Sequence, residues 1–280
     1  MSLPRAVCGA SASQMASKVR DLVFASHRSP VVSRRGMVAS SQPLASEAGL
    51  RILQQGGTAA DAAVAMAAAL GVTEPCSTGI GGDAFALFYS AVNKRVECLK
   101  GGGMSPKGLT FDAIRERGIV DQMPMDHALT VVVPGAPMLW EDALKKWGRK
   151  SLEQVLEPAI ELAEQGFPVA PLTATHWKEC AVQLQGPGKG ALLNSSGKPP
   201  EPGEVMVNAD LAATFRKIAK QGARGGFYSG PVADAVVRAV QDLNGVLDHD
   251  DMESHATVEV EPISTTYRGL SVWEVPPPNQ

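Results

Sequence analysis

Two glycine-rich segments have residue types suited to contact with a small ligand. The first is Gly79-Ile-Gly-Gly-Asp83 and the second is Lys100-Gly-Gly-Gly-Met-Ser-Pro106. Because glycine has no Cβ, its backbone N–H groups can approach a bound molecule closely. The first segment matches neither G-x-x-x-x-G-K-[ST] nor G-x-G-x-x-G. A tight turn at the start of a strand is therefore the favoured interpretation, and a loop that binds Mg-ATP is the alternative.

The remaining reactive side chains form no recognised catalytic or metal constellation. Five histidines lie in polar or loop-like segments, without a G-x-S-x-G nucleophile elbow. The four cysteines show neither C-x-x-C spacing nor a nearby histidine pair, which argues against zinc and against a disulfide framework. His249-Asp250-Asp251 is interpreted as the start of a helix, where carboxylates offset the helix dipole. No metal site is predicted.

Composition excludes two classes of partner. The chain has 280 residues, 44% of them hydrophobic, and a net charge of −3, with no basic patch suited to nucleic acid. Its most apolar run, residues 62–73, is too short to cross a bilayer. Residues 1–27 are predicted to be a flexible extension, with a transit peptide as the alternative for this acid-poor, Arg- and Ser-rich region. We expect a cytoplasmic protein.

Hydrophobic periodicity and capping signals predict the elements that position the two glycine segments. Thr58 with Asp61 and Ser151 with Gln154 are predicted to form capping boxes, and the alanine-rich helix 59–70 is expected to be central and buried. Strand pairs are predicted near both ends of the chain, and a loop without core residues over 185–203. Helices are predicted between residues 44–55, 59–70, 135–147, 151–165, 208–222 and 231–243, and hairpins over 83–100 and 257–275. This arrangement indicates an α+β fold.

The order of several motifs resembles that of the γ-glutamyltranspeptidase (glutathione hydrolase) family. The resemblance extends over residues 28–280, which we interpret as the large-subunit part of one such domain. The motifs are Gly36–Gly49, Gln55–Val64, Glu74–Phe85, Val133-Pro-Gly-Ala136, Glu157–Phe167, Gly225-Gly-Phe-Tyr-Ser-Gly230 and Tyr267-Arg-Gly-Leu270.

The resemblance implies an N-terminal-nucleophile hydrolase, an αββα sandwich whose sheets take strands from two subunits. In this family a threonine becomes the N-terminus of the small subunit after self-cleavage and acts as the nucleophile. The family places a proline run such as Pro276-Pro-Pro278 before that threonine, so we expect the nucleophile, and a small-subunit partner, beyond this chain. Thr265 and Thr266 follow no recognisable cleavage point. No metal or organic cofactor is implied.

The resemblance also implies a substrate-binding segment at Gly102, Gly103 and Met104. Transpeptidases of this family place an arginine there for the α-carboxylate of the γ-glutamyl group, at the position of Gly102 or, in a divergent branch, of Met104. Neither residue is basic, and Lys100 supplies a point charge in place of a planar fork. The expected substrate is a small γ-glutamyl or related acyl amide. The alternative is a non-catalytic, truncated relative of the family or a partner-binding fragment.

Overall fold

The computed structural model describes residues 29–184 and 187–278, and these form an α+β structure as predicted. The predicted extension over residues 1–27 lies outside the described residues. Residues 29–37 are exposed and bend at Arg34 and Arg35, where the N–H groups of Arg35 and Gly36 donate to Ser33 Oγ. None of the described helices is both long enough and apolar enough to cross a membrane.

Two helices at the start of the main body pack closely against each other. They are α1 (Pro43–Gln54) and α2 (Ala59–Thr73), which lie near the predicted bounds. A Cβ added at Gly49 would lie 2.6 Å from Met66 Cγ, so glycine permits this close approach. Alanine covers nearly every side of α2, and ten of its residues are buried. The central position predicted for α2 is confirmed.

Further helices surround this pair and complete the helical layer. The long ones have amphipathic sequences whose apolar sides enter a single core. Their bounds are α3 Phe111–Glu116, α4 Ala136–Trp147, α5 Leu152–Gln165, α6 Pro171–Cys180, α7 Ala209–Ala223, α8 Gly230–Gln241 and α9 His249–Ser254, with a π-helical turn at Arg224–Tyr228 between α7 and α8.

A three-stranded antiparallel sheet lies against α4. The strands β1 (Ala84–Ser90) and β2 (Arg95–Gly101) form the predicted hairpin, and β5 (Val258–Val260) pairs with β2. Phe88 stacks on Trp147 of α4, with ring centroids 4.9 Å apart. On the opposite, outer face, Leu87, Tyr89 and Val258 are exposed. The sheet therefore has one covered and one uncovered face.

The structure confirms the second predicted hairpin over Ile263–Glu274 but corrects the start of its first strand, which was predicted to begin at residue 257. The first of its strands is interrupted at Glu261 and Pro262, because proline has no N–H to donate to a strand ladder. As a result, β5 joins the first sheet, while β6 (Ile263–Tyr267) and β7 (Leu270–Glu274) form a separate two-stranded hairpin in which every residue is exposed.

The predicted loop over residues 185–203 contributes more to the core than expected. Residues Pro187–Leu192 form a 3-10 helix, and Leu192 packs against the core while its carbonyl accepts a hydrogen bond from Trp177 Nε1. Pro200 is buried, and a short pair of strands, β3 (Phe167–Pro168) with β4 (Val205–Met206), follows. The prediction that this segment has no core role was wrong.

One buried carboxylate joins the start of α2 to the connection between α4 and α5. Asp61 is fully buried and forms the predicted capping box with Thr58, whose N–H donates to Asp61 Oδ2 at 2.6 Å. The N–H groups of Arg149 and Lys150 also donate to this carboxylate, at 3.0–3.2 Å. Asp61 thus serves as a cap and as a tie between two helical segments.

Substitution of Asp61 by alanine should lower the free energy of unfolding by about 3 kcal/mol, since it leaves several partly buried N–H groups without their acceptor and removes its half of the capping box of α2. The matched control is Asp210→Ala, in the exposed first turn of α7. Urea denaturation measures both variants. Equal, small losses for the two would contradict the role of Asp61 as a tie.

Candidate functional site

The predicted substrate-binding residues lie on a short extended segment that leaves the end of β2. We call Gly101–Met104 the glycine wall. The Gly103 N–H donates to Asp83 Oδ1 at 2.6 Å, and the Met104 carbonyl accepts from the Val133 N–H at 3.0 Å. The glycine wall is therefore held on one side by the carboxylate after the Gly79–Gly82 loop, and on the other by the chain that leads into α4.

Glycine is required in the wall because backbones pass there at close range. A Cβ at Gly103 would lie 2.1 Å from the Val133 carbonyl oxygen, and one at Gly135 would lie 1.9 Å from the Gly101 carbonyl oxygen. A Cβ at Gly101 would lie 2.8 Å from Leu139 Cβ. These separations are shorter than any real Cβ contact, so a side chain would push β2 away from α4.

The Gly79–Gly82 loop forms the tight turn that its sequence predicted. Its Gly82 N–H donates to the Gly79 carbonyl at 3.2 Å, and the Gly82 carbonyl accepts from both Gly135 and Ala136 N–H groups at 3.0 Å. A Cβ added at Gly81 would have no atom within 4 Å. The loop thus anchors the start of α4 through Gly82 and leaves Gly81 open to solvent.

The three predicted binding residues differ in exposure. Gly102 and Gly103 are half-buried, whereas Met104 is 62% exposed. A Cβ at Gly102 would lie 3.5 Å from the Phe85 ring and 3.8 Å from Lys100 Cε, so these two side chains border the wall. Phe85 and Lys100 are paired directly across β1 and β2, which puts them on the same outer face.

Lys100 is the cationic side chain that borders Gly102, while the Asp83 carboxylate lies on the Gly103 side. Lys100 is half-buried, and none of the described carboxylates forms an ion pair with it. Beside it, the Phe85 ring and the exposed Met104 side chain offer apolar surface. This part of the molecule combines bare backbone, one ammonium group and apolar contact, a combination suited to a short acyl chain that carries an anionic group.

Sequence reasoning missed three contributors to this site. Asp83 anchors Gly103, Phe85 borders Gly102, and Tyr228 braces the turn behind the wall. The Tyr228 hydroxyl donates to the Pro134 carbonyl at 2.7 Å and accepts from the Met138 N–H at 3.2 Å, and burial raises the pKa of Tyr228. Strand alternation in β1 is a signal that could have revealed Phe85, whereas the other two contacts are long-range.

The other reactive residues stay outside this site or remain inert. Burial raises the pKa of the Cys76 and Cys98 thiols, and neither is in a disulfide. His249 contacts Asp234 at 2.9 Å on the exposed side of α8 and α9. Over residues 29–184 and 187–278, no cluster of His, Cys, Asp and Glu is arranged to hold a metal ion.

Comparison with known proteins identifies the class. A family profile described as gamma-glutamyltranspeptidase matches residues 45–280. The chain therefore belongs to the gamma-glutamyltranspeptidase family, as its motifs indicated. The N-terminal-nucleophile hydrolase fold of that family is the fold class of this chain, since solved structures of its members superpose on the described elements.

The coverage of individual relatives shows what share of a whole protein of this family the chain corresponds to. The chain is 39% identical over 251 residues to the glutathione hydrolase-like YwrD proenzyme of Bacillus subtilis, covering 89% of this chain and 47% of that protein. It is 36% identical over 253 residues to the glutathione hydrolase proenzyme of the same species, covering 89% and 43%. The chain thus spans about half the length of these curated relatives.

Two solved structures are similar over most of the chain. The gamma-glutamyltranspeptidase of Helicobacter pylori superposes with a TM-score of 0.83 at 32% identity, covering 90% of this chain and 72% of that one. The cephalosporin acylase of Bacillus halodurans gives a TM-score of 0.80 at 38% identity, covering 91% and 50%. Similarity at this level extends to proteins named for two different acyl substrates.

Replacement of Gly135 by alanine should lower the free energy of unfolding by about 3 kcal/mol or more, because the new Cβ would overlap the Gly101 carbonyl. Gly81→Ala is the control, since its Cβ enters open space. Chemical denaturation compares the two. Tolerance of Gly135→Ala at the level of Gly81→Ala would show that the close backbone approach is not needed.

Proposed function

We propose that this chain forms the large-subunit part of a γ-glutamyltransferase or glutathione hydrolase-like enzyme that acts on γ-glutamyl or related acyl amides. The threonine nucleophile and the small-subunit part lie beyond residue 280 in this proposal. The observation that carries it is the glycine wall, which family resemblance associates with substrate binding, in a chain about half as long as the curated relatives it matches.

The uncovered face of the sheet supports the need for a further part. Leu87, Tyr89 and Val258 share that face and are 41%, 62% and 53% exposed. A sheet with one bare apolar face normally packs against a second layer. The β6–β7 hairpin is exposed on both faces and includes Trp273, at 43% exposure. A small-subunit part with a second sheet satisfies both features.

In the proposed reaction, the free α-amino group of the N-terminal threonine acts as the base for its own hydroxyl. The hydroxyl oxygen attacks the amide carbonyl, the C–N bond breaks, and the departing amine takes up a proton. An acyl-enzyme ester remains, and water or an acceptor amine then releases the acyl group. The residues that border the glycine wall position the acyl chain. Phe85 and Met104 contact its apolar part, and the Lys100 ammonium group attracts its anionic group.

Lys100 carries the electrostatic part of this binding. An ammonium group donates to a carboxylate as a point charge, without the two parallel bonds of a guanidinium. The glycine wall therefore recognises an anionic acyl group with a looser geometry than an arginine would impose. Acyl amides related to the γ-glutamyl group are accordingly included in the proposed substrate range.

In the product of the complete reading frame, the Lys100→Met variant should raise KM for glutaryl-p-nitroanilide by roughly 10- to 100-fold, because a charge-assisted hydrogen bond to the substrate carboxylate is lost. KM for butyryl-p-nitroanilide, which has no carboxylate, should not change. Lys178→Met, on the exposed side of α6, is the matched control. An equal effect of Lys100→Met on KM for both substrates would contradict binding of the substrate carboxylate by the Lys100 ammonium group.

The direct test of the proposed function compares two proteins. The 280-residue chain should not release p-nitroaniline from γ-glutamyl-p-nitroanilide, whereas the product of the complete reading frame should do so after self-cleavage. Turnover by the 280-residue chain would place a nucleophile within it and contradict the proposal. Mass spectrometry of the cleaved product checks that its new N-terminus is threonine.

A non-catalytic, partner-binding relative is the second candidate function. It is favoured by the exposed apolar hairpin and by the non-basic residues at Gly102 and Met104. This candidate predicts that the complete reading-frame product stays uncleaved and turns over neither glutaryl nor γ-glutamyl anilides. Self-cleavage with turnover of either anilide would reject it.

A further inference from the structure

A buried histidine lies close to the turn that supports the glycine wall. His255 is 1% exposed, and among the described residues neither ring nitrogen has a partner at good hydrogen-bond geometry, although the Gly135 backbone lies close enough to favour the charged ring weakly. Its ring stacks on that of Tyr228, with centroids 5.3 Å apart and planes 21° apart. Since an unpaired polar group in the interior is unfavourable and an unpaired charge far more so, this position accepts the neutral imidazole and opposes the charged form.

Tyr228 connects this histidine to the wall. Its hydroxyl bridges the Pro134 carbonyl and the Met138 N–H. The next residue, Gly135, is the one whose Cα lies against the Gly101 carbonyl and whose N–H donates to Gly82. Any tilt of the Tyr228 ring would therefore move the turn against which the glycine wall packs.

Charges around His255 come from three elements. Arg224 of the π-helical turn donates through Nη2 to the His255 carbonyl at 2.7 Å, and its guanidinium lies 5.7 Å from the Tyr228 ring centroid. Desolvation and then Arg224 lower the pKa of His255, while Asp83, Asp142 of α4 and the Gly135 backbone oppose this more weakly. The Arg224 guanidinium is already next to the stacked Tyr228 and His255 rings, so a second positive charge on His255 is disfavoured.

We infer that Tyr228 and His255 are a positioning pair for the glycine wall, and that the pair holds the wall in place only while His255 is neutral. This inference rests on the proposed function for its consequence, which is weaker acyl-group binding at acid pH. The packing of the glycine wall against the turn at Pro134 and Gly135 should be fully stable above about pH 6.5, the ordinary pKa of a histidine in the unfolded chain. Its stability should decline as the pH falls from there toward the lowered pKa of the folded state.

Hydrogen exchange of the complete reading-frame product tests the pair without relying on turnover. After correction for intrinsic rates, exchange in peptides spanning residues 100–106 and 132–138 should rise between pH 7.5 and pH 5.5. The rise should reach at most about tenfold, which is the protonation factor of an exposed histidine one pH unit below its pKa of about 6.5. A flat profile in the wild type would overturn the inference.

Two variants and a control sharpen the test. His255→Phe keeps a ring on Tyr228 but cannot titrate, so it should abolish the pH dependence. His249→Gln, at the exposed start of the helix that ends just before His255, should keep the wild-type profile. If His255→Phe retains the wild-type profile, the inference is wrong. Tyr228→Phe should speed exchange at Val133, Gly135 and Met138 several-fold at pH 7.5, and unchanged exchange there would also overturn the inference.

Kinetics separate this inference from the proposed function. In an active enzyme, Tyr228→Phe should raise KM for glutaryl-p-nitroanilide several-fold and change kcat little, because it loosens binding and leaves the reacting groups in place. Exchange that changes as predicted in a protein without turnover would reject the proposed function alone. Turnover together with flat exchange would reject the positioning pair alone.

Discussion

Contact between backbones at glycine positions is the constraint on which the arrangement of this molecule depends. Gly135 lies against the Gly101 carbonyl and Gly103 against the Val133 carbonyl, at separations that exclude a Cβ. The end of β2, the Gly79–Gly82 loop and the start of α4 therefore have fixed relative positions. Hydrogen bonds from Gly103 to Asp83 and from Gly135 to Gly82 lock this geometry. The wall is therefore held by backbone contacts on two sides and is not a free loop tip.

The helical layer is packed around its central helix, whereas the sheet is covered on one face only. Helices around α2 form one well-packed core that is tied together by Asp61. The sheet is covered by α4 on one face, while Phe85, Leu87 and Lys100 lie on the other. The glycine wall leaves the sheet at the edge of that uncovered face. A second layer would therefore complete the packing and, under the proposed function, enclose the acyl group at the same place.

Most local structure could be predicted from the sequence because its signals are local. Thr58 with Asp61 and Ser151 with Gln154 form the capping boxes that their spacing indicated. The first hairpin and the α+β class are also confirmed. The failures were long-range: Pro262 ends a strand and redirects β5 to the first sheet, and Leu192 enters the core from a loop rich in glycine and proline. Pairing of distant strands leaves no periodic trace in either partner.

The site followed the same division. Motif order predicts Gly102, Gly103 and Met104 as candidate binding residues, but the brace from Tyr228 to Pro134 joins residues 94 positions apart. Such a contact is invisible to spacing rules.

The most direct measurement of the central claim is a crystal structure of the complete reading-frame product that has reacted with an acyl-amide analogue. The account predicts an adduct on a threonine beyond residue 280, with the acyl chain within about 4 Å of Gly102, Phe85 and Met104. An adduct on a residue of this chain, or an acyl group bound away from the glycine wall, would contradict it.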